Sequence, residues 1–362
     1  AGYLPENYDR VYRGAVPAQV ALAQSLNVPA VRMLKDYGVN RFYDVLQHLG
    51  MSTLQRPPDD YGLTLILGGA EGTLWDMTAL YANLAHIAQH TRPGPPITYR
   101  RPRLLQQDEP SSGPVAEIGP ASAWLTLQAL LEVARPGEDG YWRNFSSARK
   151  IAWKTGTSFG LRDGWAIGVT TKYTVGVWVG NASGEGRPGL TGAATAAPIL
   201  FDIFNRLDTS DWFEAPLFFM KEVSVCANDG FLATGDCQRV SQKIPLDSHF
   251  DQLSPHNRVI HLDARRAWQV HGGCESPGNM LHQNWFVLPP GQEFYYRRHH
   301  ADYRPLPRWR RDCIGAAGQQ GVKSPIDFLY PNAGTRLYIP MDLAEKKGRA
   351  VFETVHRDQR AT

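Results

Sequence analysis

The stretch Ile151-Ala152-Trp153-Lys154-Thr155-Gly156-Thr157-Ser158 decides the fold that we predict for this chain. Its first three residues are apolar and β-prone, which predicts a short buried strand. Lys154 then puts a compact charge at the end of the strand, and the hydroxyls of Thr155 and Thr157, two residues apart, share one face. Gly156 has no Cβ, so a ligand can approach this edge closely. The pattern predicts a binding place for a small carboxylate; the alternative is a strand that ends in ordinary polar residues.

A second motif, Ser25-Leu26-Asn27, lies near the start of the chain. Apolar residues recur at helical spacing on both sides of it, over residues 17–36. Pro29 suits the first turn of a new helix, so we predict that the motif forms the turn between two helices. It is the only S-x-N in the chain, as Lys154-Thr155-Gly156 is the only K-T-G.

In this order the two motifs resemble the transpeptidase domain of penicillin-binding proteins, a signature shared with serine β-lactamases. The resemblance is to class A members of the 1C type and covers about residues 3–207. Further stretches that carry it are Tyr3 to Asp9, Tyr61-Gly62-Leu63, Leu67 to Glu71, Asp163 to Gly168 and Val175 to Gly180.

The resemblance implies acyl transfer between peptidoglycan stem peptides, with β-lactams as inhibitors and without a cofactor or a metal. A serine attacks the D-Ala-D-Ala amide, the last D-alanine leaves, and an amine of a second stem takes the acyl group. By the same resemblance, Lys154, Thr155, Gly156 and Thr157 bind the terminal carboxylate, and the Thr157 N–H is an oxyanion-hole donor. Ser25 relays a proton to the leaving amine. The side chain of Asn27 hydrogen-bonds the substrate amide.

The nucleophile is where the chain departs from this pattern. The S-x-x-K that carries it in the family should precede Ser25, and the 24 residues before Ser25 contain none. The single match, Ser147-Ala148-Arg149-Lys150, lies beside the K-T-G strand and is no better than chance. We therefore expect a C-terminal piece of a longer bifunctional synthase, inactive alone, whose catalytic serine, glycosyltransferase module and membrane anchor lie upstream.

Composition excludes some classes of protein. The net charge, 38 minus 35 or +3, is too small to indicate nucleic-acid binding. The basic, aromatic stretch from Tyr295 to Arg311 is interpreted as a solvated linker or a docking surface. No apolar run reaches the roughly 18 residues of a transmembrane helix. The resemblance implies a periplasmic location, with attachment to the inner membrane only through the upstream anchor.

The four cysteines all lie in the second half of the chain and form no C-x-x-C pair, so we do not predict a zinc site. Their even number and wide spacing favour disulfides in an oxidising compartment. Four cysteines allow three connectivities, of which we favour Cys226 with Cys237 and Cys274 with Cys313.

The fold class that we predict is α+β: an antiparallel sheet with helices on one side and a mostly helical part that carries Ser25. It is transpeptidase-like and incomplete at the N-terminus. A disulfide-containing region and a partial β-sandwich follow, with domain limits at 1–210, 211–322 and 323–362. Residues 40–49, 73–87, 121–134 and 192–207 predict helices, and residues 151–158, 164–170, 173–181, 326–328, 337–339 and 351–355 predict strands.

Two other functions compete with the transpeptidase. A serine β-lactamase would need a deacylating glutamate, which no motif marks, and would lack the long C-terminal extension. A non-catalytic cell-wall binding or docking module would keep an incomplete ancestral cleft. If the chain is part of a transpeptidase or is a docking module, its C-terminal domain is a candidate surface for a periplasmic protein partner.

Overall fold

A computed structural model describes residues 5–105, 112–136, 149–233, 235, 237–314, 326–330 and 352–356. The helices in these ranges are α1 Ala18–Ala23, α2 Asn27–Tyr37, α3 Val39–His48, α4 Pro58–Tyr61, α5 Leu74–Ala88, α6 Pro120–Leu131, α7 Ala197–Arg206 and α8 Pro290–Tyr296. The strands are β1 Thr98–Arg100, β2 Ser112–Val115, β3 Ala152–Thr157, β4 Asp163–Val169, β5 Thr174–Gly180, β6 Met220–Cys226, β7 Arg239–Pro245, β8 Asn257–Leu262, β9 Leu281–Phe286, β10 Ile326–Tyr330 and β11 Glu353–His356. The predicted α+β class is confirmed.

The central sheet is the antiparallel meander β3-β4-β5, with β3 at one edge. Lys154 lies opposite Ile167 and Thr157 lies opposite Gly164. The K-T-G motif therefore runs along the outermost strand, where one row of backbone groups is not used by a neighbouring strand in this sheet.

Helices cover both faces of this sheet, so the prediction of helices on one side only is wrong. A Cβ added to Gly168 would lie 2.8 Å from the Phe204 ring of α7. A Cβ added to Gly176 would lie 2.1 Å from the Thr78 hydroxyl of α5. Gly176 pairs with Ile167, the neighbour of Gly168, and neighbouring residues of a strand point to opposite faces. These two glycines thus let α7 and α5 approach the sheet from opposite sides.

The main core lies between these helices and the sheet. Ile87 of α5, Leu127 of α6, Trp153 of β3, and Leu200 and Phe204 of α7 are all fully buried. Burial of each such side chain contributes about 1.5–3 kcal/mol, which fixes the K-T-G strand against its supporting helices.

The helical part that carries Ser25 has a core of its own. Its buried residues are Leu34, Tyr43, Leu54, Tyr61 and Leu65. The S-x-N motif forms the turn between α1 and the start of α2, as its spacing predicted. No helix in the described part of the chain is long and apolar enough to cross a membrane.

The region after residue 211 forms small antiparallel pairs, β6 with β7 and β8 with β9, and the two disulfides are Cys226–Cys237 and Cys274–Cys313.

Helix α8 was not predicted. It is too short to show a helical period, and only Pro290 at its start and Glu293 in its first turn signal it. Strands β10 and β11 pair with each other. The predicted strand at 337–339 lies outside the described residues.

The N-terminal segment contacts this later region directly. Gly14 adopts a φ of +75°, and an added Cβ would lie 2.3 Å from the Gln292 carbonyl oxygen and 2.8 Å from the Tyr296 nitrogen of α8. Nearby, the rings of Tyr12 and Tyr295 are 5.3 Å apart. The backbone of Gly14 therefore lies so close to the backbone of α8 that a residue with a Cβ would not fit at this position.

Candidate active site

Ser25 lies on a tight turn that exposes its side chain. Its φ is +54°, in the left-handed region that usually costs a non-glycine residue about 1–2 kcal/mol. Its N–H donates to the Leu22 carbonyl at 3.1 Å, and the N–H of Leu26 donates to Ala21 at 2.9 Å. The side chain of Leu26 is buried, whereas that of Ser25 is exposed. The turn is held by this buried anchor and by two backbone hydrogen bonds.

Residues 6 and 7 form hydrogen bonds to the start of α2, and we call this two-residue segment the polar strap. The buried Asn7 accepts from the Val28 N–H at 3.1 Å and donates to the Val11 carbonyl at 2.8 Å. The amide of Asn27 donates to the Glu6 carbonyl at 2.9 Å. Sequence reasoning missed this role of Asn7, although the residue belongs to a stretch that carries the resemblance. The strap fixes the orientation of the Asn27 side chain.

Thr157 is positioned by a segment distant in sequence. Its hydroxyl accepts from the Gly192 N–H at 3.0 Å. Residues 192–207 were predicted as one helix, but this segment begins with a π-helical turn, Gly192–Ala196. A Cβ added to Gly192 would lie 2.4 Å from the carbonyl oxygens of Gly156 and Trp165, so this turn packs directly on the K-T-G strand. The Thr157 hydroxyl still has its own hydrogen to donate.

The backbone N–H of Thr157 faces the open edge of β3. The Ser158 N–H donates to the Asp163 carbonyl at 3.0 Å. Paired residues in an antiparallel ladder alternate between hydrogen-bonded and non-hydrogen-bonded sites. Thr157, one residue earlier, therefore turns its N–H away from β4 and towards the outer edge of β3, where no strand of the described residues pairs with it.

Lys154 joins the two motifs. Its ammonium group donates to the Ser25 hydroxyl and to the Thr155 carbonyl, the latter at 3.0 Å. Burial lowers the pKa of Lys154 from 10.5 to about 8, because the charged form loses hydration. A cation in such partly buried surroundings polarises a neighbouring hydroxyl and attracts a carboxylate more strongly than it would in water.

The site residues predicted from sequence thus come together only in part. Ser25 contacts Lys154, whereas the amide of Asn27 is engaged by Glu6 and the hydroxyl of Thr157 by Gly192. Ser147 lies outside the described residues. Arg149, from the same S-x-x-K match, donates to the carbonyls of Phe204, Leu207 and Asp208 at the end of α7, a structural role.

The cysteine-containing region includes a group of metal-type donors. The donor atoms of His271, Cys274 and Cys313 lie within 4.8 Å of one another. Both sulfur atoms are joined in a disulfide, and both ring nitrogens of His271 have hydrogen-bond partners, the Gly273 N–H at Nδ1 and the Cys313 carbonyl at Nε2, so each donor of this group is already engaged.

Comparison with known proteins places this fold with the penicillin-binding proteins, although no family model matches the chain. The crystal structure of penicillin-binding protein 1A from Haemophilus influenzae superimposes with a TM-score of 0.53 and 18% identity, over 70% of this chain and 43% of that one. That similarity concerns the fold.

Among curated sequences, the chain is similar to penicillin-binding protein 1C of Escherichia coli, with 36% identity over 205 residues. It is also 30% identical over 200 residues to penicillin-binding protein 1B of Vibrio cholerae. These matches cover 57% and 54% of this chain, but it spans only 25% of either relative. The resemblance to penicillin-binding proteins that the two motifs predicted is confirmed.

Proposed function

We propose that this chain supplies the S-x-N and K-T-G side of the cleft of a peptidoglycan D,D-transpeptidase, a serine acyltransferase within a longer bifunctional synthase. The observation that carries the proposal is the hydrogen bond from the Lys154 ammonium to the Ser25 hydroxyl, between residues 129 positions apart. Two motifs that bind one ligand must face each other, and this contact brings them together. The similarity to penicillin-binding proteins 1C and 1B supports the same conclusion.

In this proposal Ser25 is a proton relay and not the nucleophile. Lys154 donates to the Ser25 oxygen, so the serine keeps its own hydrogen for the amine of the departing D-alanine. The ammonium group favours this transfer because it stabilises negative charge developing on the serine oxygen and, as the donor to that oxygen, would replace the proton that the serine gives up. Asn27, oriented by the Glu6 carbonyl, lies two residues away and would hold the substrate amide.

The carboxylate of the stem peptide would bind along the edge of β3. Lys154 offers its charge, and the hydroxyls of Thr155 and Thr157 offer hydrogen bonds. The edge-facing N–H of Thr157 would bind the oxyanion, a contribution of about 3 kcal/mol to lowering the barrier. Gly156 fits this assignment: an added Cβ would meet the Trp165 Cβ at an ordinary 3.4 Å, so internal packing does not require glycine. Its lack of a side chain instead leaves room for a ligand.

The compartment and the partners belong to the same proposal. Two disulfides suit an oxidising compartment, and we assign the protein to the periplasm, where the full-length protein would be anchored in the inner membrane. Its ligands would be peptidoglycan stem peptides and β-lactams, which carry a carboxylate in the corresponding place. A periplasmic protein could bind the C-terminal domain. The small net charge gives no support for nucleic acid.

The test is titration of the chain with diacetyl-L-Lys-D-Ala-D-Ala, followed by backbone NMR. Shifts should concentrate on β3 and on the turn at Ser25. Lys154→Ala should weaken binding about tenfold or more, because a charge-assisted hydrogen bond contributes about 1.5–3 kcal/mol. Lys150→Ala removes an exposed cation four residues earlier and should change nothing.

Equal affinity in the two lysine variants, or no shifts at β3, would contradict the proposal. Retention of the Lys154→Ala variant on intact peptidoglycan, without peptide binding by either protein, would instead favour the non-catalytic docking module.

A further inference from the structure

A pocket of about 200 Å³ lies in the disulfide-containing region, far along the chain from both motifs. Its wall combines aromatic rings with neutral and charged polar groups. The lining residues are Asn228, Gln283, Asn284, Trp285, Phe286, Tyr296, Asp302, Tyr303 and Arg304. The volume is below the roughly 300–1,000 Å³ of sites for drug-sized ligands, which suits a single ring.

The aromatic wall is fixed before any ligand arrives. The rings of Phe286 and Tyr303 pack edge to face at 6.2 Å, and those of Tyr296 and Tyr303 at 5.5 Å. Tyr296 also stacks flat on His300 at 3.8 Å. The indole N–H of Trp285 donates to the Arg304 carbonyl at 2.9 Å. These contacts leave the rings little freedom to lose on binding.

The polar part of the wall is anchored at one disulfide. Asn228 follows Cys226 by two residues, in the hairpin loop that Cys226–Cys237 closes. On β9, which belongs to the other strand pair, the amide of Asn284, oriented to satisfy both neighbours, accepts from the Cys237 N–H at 3.0 Å and donates to the Arg258 carbonyl at 3.2 Å. The two walls of the pocket therefore converge on the same cross-link.

The chemistry of the lining selects the class of ligand. Asp302 and Arg304 cancel in formal charge, which disfavours a phosphate or another strongly charged group. Within the described part of the chain, the side-chain amides of Asn228 and Gln283 have no hydrogen-bond partner. An amide both donates and accepts, which matches a hydroxyl or an acetamido group. Aromatic faces suit the apolar C–H face of a pyranose ring.

We propose that this pocket binds one pyranose ring of a neutral saccharide, with Trp285, Tyr296 and Tyr303 as the apolar wall and Asn228 and Gln283 as hydroxyl partners. A small, ring-sized, uncharged site with unengaged amides fits a sugar better than a peptide, whose backbone would extend beyond the pocket. This inference does not depend on the proposed acyl transfer.

The experiment is calorimetric titration of the whole 362-residue chain with N,N′,N″-triacetylchitotriose, supported by saturation-transfer NMR. Asn228→Ala and Gln283→Ala should each weaken binding about two- to tenfold, the range for one hydrogen bond. Trp285→Ala should remove detectable binding. Gln242→Ala, an exposed amide on the neighbouring hairpin, and Lys154→Ala, in the proposed transpeptidase cleft, should both leave the affinity unchanged.

Absence of saturable binding by the unaltered chain would overturn the proposal. So would an affinity that Asn228→Ala and Gln283→Ala leave intact, or one that Lys154→Ala removes. The two amide variants keep the test decisive if Trp285→Ala fails to fold, because Asn228 is an exposed loop residue and Gln283 is only partly buried.

Discussion

Lys154 combines two properties that conflict. In the proposed cleft it would supply a positive charge to an anionic ligand, whereas its burial penalises that charge. The hydroxyl of Ser25 and the carbonyl of Thr155 offset part of this penalty. A carboxylate that binds beside the ammonium would offset more of it, so ligand binding and protonation of Lys154 should favour each other.

The pKa of Lys154 predicts a pH dependence of folding. Because the folded pKa is about 8 and the ordinary value is 10.5, the unfolded chain holds more protons between these two pH values. The free energy of unfolding attributable to Lys154 should therefore rise as the pH increases through this window. Below pH 8 the full penalty of the buried charge should remain.

Urea denaturation of the unaltered chain and of Lys154→Met, at pH values across the window, measures this effect. As the pH rises, the free energy of unfolding of the unaltered chain should increase relative to that of Lys154→Met. Lys150→Met, which removes an exposed lysine, should show no such trend. A difference that stays constant from pH 8 to pH 10.5 would show that Lys154 has an ordinary pKa.

At the scale of single residues, the sequence nominates candidate site residues, whose roles stay predictions, but it does not indicate which groups hold them in place. Ser25, Asn27, Lys154 and Thr157 were selected because their motifs resemble those of penicillin-binding proteins. Their supports could not be selected in this way, because the Gly192 N–H and the Asn7 side chain act on residues 35 and 21 positions away. Such contacts depend on how elements pack and leave no local pattern.

At the scale of elements, periodicity identified α5, α6 and the meander β3-β4-β5 within a few residues. It missed α8, whose seven residues are too few to show an apolar stripe, and the π-helical turn before α7. It also placed helices on one side of the sheet. The close approaches at Gly168 and Gly176 show that α7 and α5 lie on opposite faces.

The two disulfides should differ in their effect on stability. Cys226–Cys237 closes a separation of 11 residues and Cys274–Cys313 one of 39. A longer loop loses more freedom in the unfolded chain when it is cross-linked. Replacing Cys274 and Cys313 together by serine should lower the free energy of unfolding by about 4 kcal/mol, against about 3 kcal/mol for the other pair.

Urea denaturation under non-reducing conditions, followed by tryptophan fluorescence, compares the two double variants. The reduced parent chain is the control and should be at least as unstable as the weaker variant. A larger loss from the Cys226 and Cys237 pair would mean that contacts around the hairpin, and not loop closure, dominate.

At the scale of the whole molecule, the domain limit near residue 210 stays a prediction. Contacts do cross it: the indole N–H of Trp124 donates to the Phe213 carbonyl at 3.2 Å, and Gly14 meets α8. The segment that contains Gly14 also carries the strap over the start of α2. A displacement of α8 should therefore reach the turn at Ser25 through a short stretch of chain.

Gly14→Ala tests this connection. The new methyl group would overlap the backbone of α8, and overpacking of this kind costs about 1–3 kcal/mol beyond the strain of a positive φ. Gly50→Ala is the matched control, since Gly50 has a φ of +96° and no atom within 4 Å of an added Cβ. Hydrogen exchange at the Tyr296 amide should accelerate in Gly14→Ala alone.

The deciding comparison is between Gly14→Ala and Gly50→Ala, in their free energy of unfolding and in the rate of hydrogen exchange at the Tyr296 amide. If both lose the same stability and the Tyr296 amide stays equally protected, the methyl group is accommodated and the contact with α8 does not constrain the N-terminal segment.

The backbone contact at Gly14 has a consequence for protein engineering. Because the neighbouring surface of α8 is formed largely by main-chain atoms, its shape is set by the path of the helix and hardly by the identity of its side chains. C-terminal regions could therefore be exchanged between homologous proteins in chimaeras, provided that the incoming helix follows the same course and the glycine is retained.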